Sequence, residues 1–431
     1  MVFPSSMSQG KYKDRNLCFS DLVTNALQGL SPIQTIMKMT EPEYIASLGF
    51  ASEDIISFGG GWCNHASPPE LQQIYQEIVS DKTLFHASGR YSAIKGNLSC
   101  RKQLCRFEET VYQVPEMTPD QVLIGQSATQ LFHDVIRVLI NPGEPVCVMD
   151  PTYANYVNGL KCALPESPLW FVPGLDPISW EYLSDPSYSL EVLESYCKQG
   201  ARVFVVSTPD NPTSQIPPDD FINDAYELIE KYNGFFIVDY AYKELCFDQE
   251  PVCQSWSPGD FPHFISIHSH SKWLSSLGRR FGWVEANEKV IEGLEKIDES
   301  TILSADTLNS MATERFIEHM ISQNTLRTYI DDIKMLYKHT AQVFTKCLKT
   351  CTDWKYLDPM GGLYTCCPTP NNQDPLSFAQ TLLKETGVLV IPGLGFGPSL
   401  SKGIRLSYGP LCTDHEKIKE GMQRIQSYLS K

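Results

Sequence analysis

Short apolar runs alternate with longer amphipathic stretches through the middle third of the chain. The apolar runs are rich in β-branched and aromatic residues and end at polar segments that contain glycine or proline. They predict strands at Val122–Gly125, Pro145–Met149, Val203–Ser207, Phe235–Val238, Phe264–Ile267 and Phe281–Glu285. The amphipathic stretches between them include Thr129–Ile140, Leu190–Lys198 and Phe221–Tyr232. Strands separated by helices of this length indicate βαβ units and a mostly parallel sheet.

The last part of the chain predicts a second lobe. Glu314–Cys347 has a long helical pattern and suits a connector between the lobes. Strands are predicted beyond it at Gly361–Cys366, Val388–Ile391 and Ile404–Ser407, followed by a helix at Asp414–Leu429. Residues before about Pro68 are expected to pack with this lobe, because short N-terminal segments need a partner surface.

Composition narrows the class of protein. The 431 residues exceed one ordinary domain, and the net charge of -16 argues against a general affinity for nucleic acid. The 14 cysteines include no CxxC pair, which makes a zinc site improbable and suggests reduced thiols. The first residues lack an apolar core, and no apolar run approaches the roughly 20 residues that span a bilayer. We therefore expect a soluble, cytoplasmic protein without a metal site.

A lysine follows one of the predicted strands closely. Ser269-His270-Ser271-Lys272 leads into a loop, and Arg280 lies eight positions later. A lysine whose pKa is lowered by burial forms an imine with a carbonyl compound. Arg280 and the Ser269 hydroxyl could grip a phosphate with charge-assisted bonds. Taken alone, Lys272 is better explained as a surface lysine beside a helix.

Two other strand ends offer partners for an aromatic ring. Asp239 follows an apolar strand, and a buried carboxylate there needs a cation such as a protonated pyridine nitrogen. The Asn211 amide and the Tyr242 hydroxyl could bind a phenolate oxygen on the same ring. The simpler alternatives are a helix cap for Asp239 and an ordinary Asn-Pro turn at Asn211.

Two further segments complete the pattern. Ser127-Ala128-Thr129 opens a helix after a strand, where backbone N–H groups and the helix dipole favour phosphate. Tyr153, after Asp150-Pro151, could stack on a flat ring. Helix capping and ordinary packing explain each of these alone. Five segments at the ends of predicted strands nevertheless offer complementary parts of one cofactor site.

From about Ile55 to Ser407, the order of these motifs resembles class I/II aminotransferases of the aspartate aminotransferase fold. The resemblance runs through Tyr91…Gly96, the five segments above, and Gly403-Ile404-Arg405-Leu406-Ser407. It implies an α/β fold, with a large domain (68–320) built on a mostly parallel seven-stranded sheet flanked by helices. A smaller α+β domain (321–431) would pack with the N-terminal segment (1–67).

The resemblance also implies the cofactor and the site. Lys272 would bind pyridoxal 5′-phosphate (PLP) as a Schiff base and move protons. Asp239 would pair with the pyridinium, while Asn211 and Tyr242 would bind the ring oxygen and Tyr153 would stack on the ring. The phosphate would be held by Ser127, Ala128, Thr129, Ser269, Arg280 and, from the neighbouring subunit of a homodimer, Tyr91. Arg405 would bind the substrate α-carboxylate, near Gly61, Asn211 and Trp62.

The implied reaction is amino transfer between an α-amino acid and a 2-oxo acid. A PLP-dependent cyclase, oxidase or β/γ-eliminating enzyme remains an alternative, because it would use the same residues. A regulator that only binds PLP is a third class, for which residues before Ile55 leave no room for a DNA-binding module.

Three parts of the chain depart from the family pattern, and a fourth resembles a different motif. Ser214 stands where glycine usually follows Asn-Pro-Thr, so the turn is expected to differ. Gly59–His65 and Lys161–Asp185 align loosely, and Trp62, Asn64 and Trp273 are proposed pocket residues. The Gly393–Gly397 run lacks the following helix and acidic residue of a dinucleotide site.

Overall fold

The computed structural model describes Ser20, Gln34 and residues 37–431. Its strands are β1 (Ile56–Ser57), β2 (Val122–Gly125), β3 (Val146–Asp150), β4 (Leu169–Pro173), β5 (Val203–Ser207), β6 (Phe235–Asp239), β7 (Phe264–Ser269), β8 (Gly282–Glu285), β9 (Tyr364–Pro368), β10 (Val388–Leu389), β11 (Ile391–Pro392) and β12 (Gly403–Ser407). Its helices are α1 (Pro42–Ser47), α2 (Pro69–Ser80), α3 (Lys82–Ser88), α4 (Leu98–Tyr112), α5 (Ala128–Leu139), α6 (Ala154–Ala163), α7 (Pro186–Lys198), α8 (Asp219–Lys231), α9 (Glu288–Thr301), α10 (Thr307–Ser322), α11 (Leu326–Cys351), α12 (Pro375–Thr386) and α13 (His415–Leu429). No helix within the described ranges is long and apolar enough to cross a membrane.

Seven strands form the main sheet, in the order β2-β8-β7-β6-β5-β3-β4. Only β8 runs against its neighbours, so the predicted mostly parallel seven-stranded sheet is confirmed. The six strands predicted individually lie within two residues of their observed bounds. The seventh, β4, falls in the segment that was hard to align, where Trp170 and Phe171 are only partly buried and blur the apolar run.

The sheet carries packed side chains on both faces, as expected for parallel strands. Alternate residues of β3 point to opposite faces and belong to two different cores. Val146 and Val148 join a core with α5, whereas Cys147 and Met149 join a second core with α7 and α8. Because both faces are covered, polar groups of the sheet can reach a ligand only at the strand ends.

A smaller three-stranded sheet, β11-β12-β9, belongs to the C-terminal part. All its pairings are antiparallel; α12 packs against it and the adjoining β10, and α13 packs against β10 and β1. The N-terminal β1 pairs with β10, with Ile56 opposite Val388. This pairing concerns only the end of the N-terminal segment, because most of residues 1–36 lie outside the described residues. The packing of 1–67 and the domain boundaries at 67/68 and 320/321 stay a prediction.

The single connector helix predicted over Glu314–Cys347 is wrong. Two helices, α10 and α11, cover this region and are separated by Gln323–Thr325. Asn324 adopts a left-handed conformation with φ of 56°, which a short polar side chain tolerates and a continuous helix does not. The apolar periodicity continues on both sides of the break, so the pattern gave no sign of it.

A network of buried ionic side chains ties α4 to the strands next to the site. Lys243 Nζ lies 2.5 Å from Glu108 Oε2 and 3.8 Å from the centre of the Tyr112 ring. His268 Nε2 lies 3.3 Å from Glu285 Oε2, and its Nδ1 lies 3.7 Å from Glu108 Oε1. These side chains are almost completely buried, so the Lys243 and Glu108 charges depend on their partners for solvation.

We expect Lys243→Met to destabilise the protein by about 3–5 kcal/mol, because it leaves Glu108 buried without its cation. The free energy of unfolding should be measured by urea titration. Lys198→Met is the matched control: Lys198 pairs with Glu194 at 3.0 Å, but its side chain is 60% exposed. That variant should lose no more than about 0.5 kcal/mol. Equal losses in the two variants would contradict a special contribution of the buried pair.

Candidate active site

A cavity of about 350 Å³ opens at the carboxyl ends of the central strands. Ser207, Asp239 and Ser269 end β5, β6 and β7 and line it, and α5 begins at its edge. Ligands of open parallel sheets bind at this edge. Of the residues proposed from the sequence, the cavity is lined by Gly61, Ser127, Ala128, Thr129, Tyr153, Asn211, Asp239, Tyr242, Ser269, Lys272 and Arg280.

Lys272 reaches into this cavity from the turn after β7. Its Nζ donates a hydrogen bond of 2.6 Å to the Gly61 carbonyl and lies 5.3 Å from the centre of the Tyr242 ring. It makes no ion pair within residues 37–431. The alternative of a surface lysine beside a helix does not describe this position. An amine held by one carbonyl is free to react with a carbonyl group of a ligand.

Asp239 lies across the same cavity at the end of β6. Its Oδ1 accepts a 2.8 Å bond from the Ala241 amide, and its Oδ2 accepts a bond from the Tyr156 hydroxyl. Burial raises the pKa of Asp239, while the Tyr156 bond lowers it. Neither partner is a cation, so the site can accept a protonated ring nitrogen as the missing charge.

The N-terminus of α5 forms a second polar end. The Ser127 hydroxyl accepts from the Gln130 amide at 3.3 Å, so the capping proposed as the alternative does occur. The first amides of the helix have no acceptor within the helix and remain available to an anion. A Cβ on Gly282 would lie 3.0 Å from the Ala128 nitrogen, so β8 can pass this close only without a side chain.

Hydroxyls and a guanidinium lie near this helix end. The hydroxyls of Ser269 and Ser271 are 2.7 Å apart, and Arg280 donates to the Leu277 carbonyl at 2.8 Å. Ser269, Ser271 and Arg280 line the cavity together with Thr129. Several neutral donors and one cation are the groups that hold a phosphate.

Arg405 lies behind Asn211 and is not on the cavity wall itself. Its two terminal nitrogens donate to Asn211 Oδ1 and to the Gly59 carbonyl, both at 2.9 Å. Its Nε is buried without a hydrogen-bond partner among the described residues, and the guanidinium carbon lies 4.3 Å from the centre of the Tyr364 ring. The residue is only 7% exposed, so it is not the surface salt bridge that the sequence left open. A buried guanidinium without a carboxylate suits an anionic ligand.

Three aromatic proposals have different outcomes. Tyr91 is 82% exposed and does not line its own chain's cavity, and its role in a neighbouring subunit stays a prediction. Trp62 is half exposed, and its ring lies against Gly60. The assignment of Trp273 to the pocket is wrong. Trp273 is fully buried in a core and stacks on Phe107, with the ring centres 5.1 Å apart.

Asn64 and Ser214 are held by backbone and loop contacts. Asn64 Nδ2 donates to the Pro410 carbonyl at 3.0 Å, and Asn64 does not line the cavity. Ser214 is buried and has φ of 57°, the left-handed region that favours glycine. Its hydroxyl accepts a 3.0 Å bond from the Tyr364 amide. The serine thus adopts the backbone conformation expected of glycine and adds a hydrogen-bond acceptor.

The sequence did not single out Tyr156, Ser271 or Tyr364. Tyr156 lies one helical turn after Tyr153, so the 3.6-residue period could have suggested that both face the cavity. Ser271 lies within the lysine segment and could have been included. Tyr364 comes from the small sheet and meets Tyr242 only through the tertiary fold, with their hydroxyls 2.6 Å apart.

Comparison with known proteins shows which family the chain resembles. The family model described as aminotransferase class I and II matches residues 53–425. A (5-formylfuran-3-yl)methyl phosphate transaminase of Methanocaldococcus jannaschii is 26% identical, over 81% of this chain and 86% of its own length. An LL-diaminopimelate aminotransferase of Natranaerobius thermophilus is 29% identical, over 73% of this chain and 78% of its own.

Solved structures show the likeness of fold. A Thermus thermophilus aspartate aminotransferase, in a single-mutant form, matches with a TM-score of 0.81 and 19% identity. That match covers 96% of this chain and all of the other. Substrate-bound BacF of Bacillus subtilis matches with a TM-score of 0.79 and 21% identity, covering 94% and 97% of the two chains. The expected aspartate aminotransferase fold is confirmed.

Burial of Asp210 is expected to make the stability of the protein depend on pH. Burial raises the pKa of this carboxyl to about 7, against the bonds from Thr213, which lower it. A carboxyl whose pKa is higher in the folded state binds its proton more tightly there. Its contribution to stability therefore falls as the pH rises from about 4 to about 7, and is constant above that range.

We expect Asp210→Asn to remove this dependence, because the amide oxygen still accepts from Thr213 but does not ionise. Between pH 6 and pH 8.5 the wild type should lose roughly 1 kcal/mol of unfolding free energy relative to the variant. Urea titrations at the two pH values measure the difference. Asp224→Asn, on an exposed position of α8, is the control and should track the wild type. A constant gap between wild type and Asp210→Asn would refute the titration of Asp210.

Proposed function

Because the chain belongs to the class I and II aminotransferase family, we propose that it transfers an amino group from an α-amino acid to a 2-oxo acid, with PLP as its cofactor. The observation that carries the proposal is a set of charged side chains without ionic partners, in or beside one cavity. Asp239, Lys272 and Arg405 make no ion pair within residues 37–431. A pyridinium, an aldehyde and a carboxylate are the groups that would complete them.

The donor set of the cavity fits PLP. Asp239 would pair with the ring nitrogen, and the Tyr242 hydroxyl and the Asn211 amide would bind the ring oxygen. Tyr153 would stack on the ring. The phosphate would be bound by the start of α5 (Ser127, Ala128 and Thr129) with Ser269 and Arg280. When bound, PLP supplies an electron sink for the electron pair left at Cα after its proton is removed.

Lys272 would have two tasks in this reaction. Its amine would hold the cofactor covalently in the resting enzyme. Once displaced by the substrate amine, it would act as the general base for the Cα proton and would later return a proton. The 2.6 Å bond from Nζ to the Gly61 carbonyl supports this role. It places Nζ near Gly59, whose carbonyl accepts a hydrogen bond from Arg405.

Arg405 would orient the substrate through its α-carboxylate. The guanidinium is held by Asn211 and Gly59, and the Tyr364 and Phe396 rings lie 4.3 and 5.0 Å from its central carbon. These rings would exclude water and strengthen a bond between opposite charges. Gly61 and Trp62 would form the neighbouring wall of the substrate pocket.

The proposed reaction is tested by incubating the purified protein with an amino acid pool, with and without 2-oxoglutarate. Consumption of an amino acid should require the oxo acid and should follow ping-pong kinetics. Product formation that does not require the oxo acid would instead identify a cyclase, an oxidase or an eliminating enzyme. A screen of single amino acids for spectral change of the bound cofactor then identifies the substrate.

Lys272→Ala should abolish the yellow absorbance of the covalently held cofactor and lower turnover by at least about 10²–10⁴-fold, the usual contribution of a general base. Lys296→Ala is the control, because its side chain is 80% exposed on α9, and this variant should keep both properties. Circular dichroism should confirm that each variant folds. Retained turnover in Lys272→Ala would refute its proposed role.

We also propose that the enzyme is a cytoplasmic homodimer with shared active sites. Exposed apolar side chains lie in or next to the two segments that Ser92 and Ser304 join through a 3.0 Å bond. They are Phe85, Leu98 and Leu303, which are 45–56% exposed. Exposed apolar side chains near Tyr91 support burial by a second copy. The free state of the 13 described cysteines supports a reducing compartment.

Tyr91→Phe should leave the dimer intact and weaken the affinity of the apoprotein for PLP by about 10-fold or more. The reason is that a hydrogen bond to a charged phosphate contributes about 1.5–3 kcal/mol. Sedimentation gives the oligomeric state, and fluorescence titration gives the dissociation constant. Tyr188→Phe, at a tyrosine that is 54% exposed on α7, is the control. A monomer with full cofactor affinity, or an unaltered affinity in Tyr91→Phe, would contradict shared sites.

A further inference from the structure

Tyr364 lies between the two halves of the proposed site. It is the first residue of β9 and is only 1% exposed. Its hydroxyl is 2.6 Å from the hydroxyl of Tyr242, which lines the cavity, whereas Tyr364 itself does not. The face of its ring lies 4.3 Å from the guanidinium carbon of Arg405. One buried side chain thus contacts a residue proposed for the cofactor and a residue proposed for the substrate.

The position of Tyr364 is fixed by its surroundings. Its amide donates to the Ser214 hydroxyl at 3.0 Å, and its backbone pairs with Ser407 on β12. A Cβ on Gly61 would lie 2.9 Å from the Tyr364 hydroxyl, so Gly61 leaves the room that this hydroxyl occupies. A side chain held at its backbone and packed around its ring cannot turn away from Tyr242 at small cost.

The hydroxyl pair can carry a directed chain of hydrogen bonds. In a pair of hydroxyls, one proton lies between the two oxygens and the other is available elsewhere. If Tyr364 donates to Tyr242, the Tyr242 proton is free to be donated into the cavity. An anionic oxygen in the cavity selects this arrangement, and each bond in such a chain strengthens the next.

The ring of Tyr364 has a separate effect on Arg405. A guanidinium over an aromatic face is attracted by the ring quadrupole, and the attraction increases when water is excluded. The stacking leaves the edge of the guanidinium available for hydrogen bonds. Removing the hydroxyl alone therefore leaves this contact intact, while removing the ring abolishes it.

We propose that Tyr364 is a positioning residue of the amino-transfer site: its hydroxyl directs the Tyr242 proton toward the ring oxygen of PLP, and its ring holds Arg405 for the substrate carboxylate. The inference rests on the proposed function. Tyr364 touches neither ligand in this assignment and acts through Tyr242 and Arg405.

Two variants separate these effects. In Tyr364→Phe, the pH midpoint of the absorbance change of the bound cofactor should rise by about half to one unit. The reason is that the Tyr242 hydrogen bond to the ring oxygen, which stabilises the deprotonated form of the cofactor, is weakened. Turnover should fall, and the KM for the amino acid found in the screen should change less than about twofold. Tyr364→Leu should show the same spectral shift, and its KM should rise at least about fivefold, because the ring is lost.

Tyr408→Phe is the matched control. Tyr408 is a fully buried tyrosine whose hydroxyl donates to the Gly361 and Gly362 carbonyls at 3.2 Å, away from the cavity wall. It should leave the spectral titration and the KM unchanged even if it lowers stability. An unshifted titration in Tyr364→Phe, or equal KM values in Tyr364→Phe and Tyr364→Leu, would overturn the inference.

The two proposals fail in different ways. A wild-type protein that binds no PLP, or that binds it and transfers no amino group, would refute the proposed function, and the assignment of Tyr364 would fall with it. A wild-type protein that binds PLP and transaminates, with Tyr364 variants that titrate and bind substrate as it does, would refute the role of Tyr364 alone.

Discussion

The site depends on buried charges that the described part of the chain leaves without ionic partners. Asp239 is held by a tyrosine hydroxyl and a backbone amide, and Arg405 by an amide oxygen and a carbonyl. Hydrogen bonds to neutral groups recover only part of the solvation that a charge loses on burial. The remainder is available to a ligand of complementary charge, so the unbalanced electrostatics of the cavity are the physical basis of the proposed binding.

Much of this could be predicted from the sequence, because the chemistry follows strands. Parallel strands bring their carboxyl ends to one edge, so Asn211, Asp239 and Lys272 had to lie near one another once the strands were recognised. The predictions that were wrong concern features that tertiary contacts determine. Trp273 follows the lysine directly but turns into the core, and the break at Asn324 interrupts a pattern that is apolar on both sides.

Tyr156 and Tyr364 show two different limits of sequence reasoning. Tyr156 is separated from Tyr153 by one helical turn, so its approach to Asp239 follows from local geometry once the helix is known. Tyr364 is 122 residues from Tyr242, and the two meet because β9 of the small sheet lies against the turn that holds Ser214. The departure at Ser214 thus provides a contact for Tyr364 that glycine would lack.

Burial of charge alone would not have identified the site. Glu108, Lys243, His268 and Glu285 are as buried as Asp239, and three of them could be taken for a metal site. There, however, the basic and the acidic side chains contact one another. His268 and Ser269 are consecutive on β7 and so face opposite sides of the sheet. One side carries a balanced network that stabilises the strands, and the other presents unbalanced groups to a cavity. Because the two sides share β6 and β7, a rigid network on one side keeps Asp239 and Lys272 in place on the other.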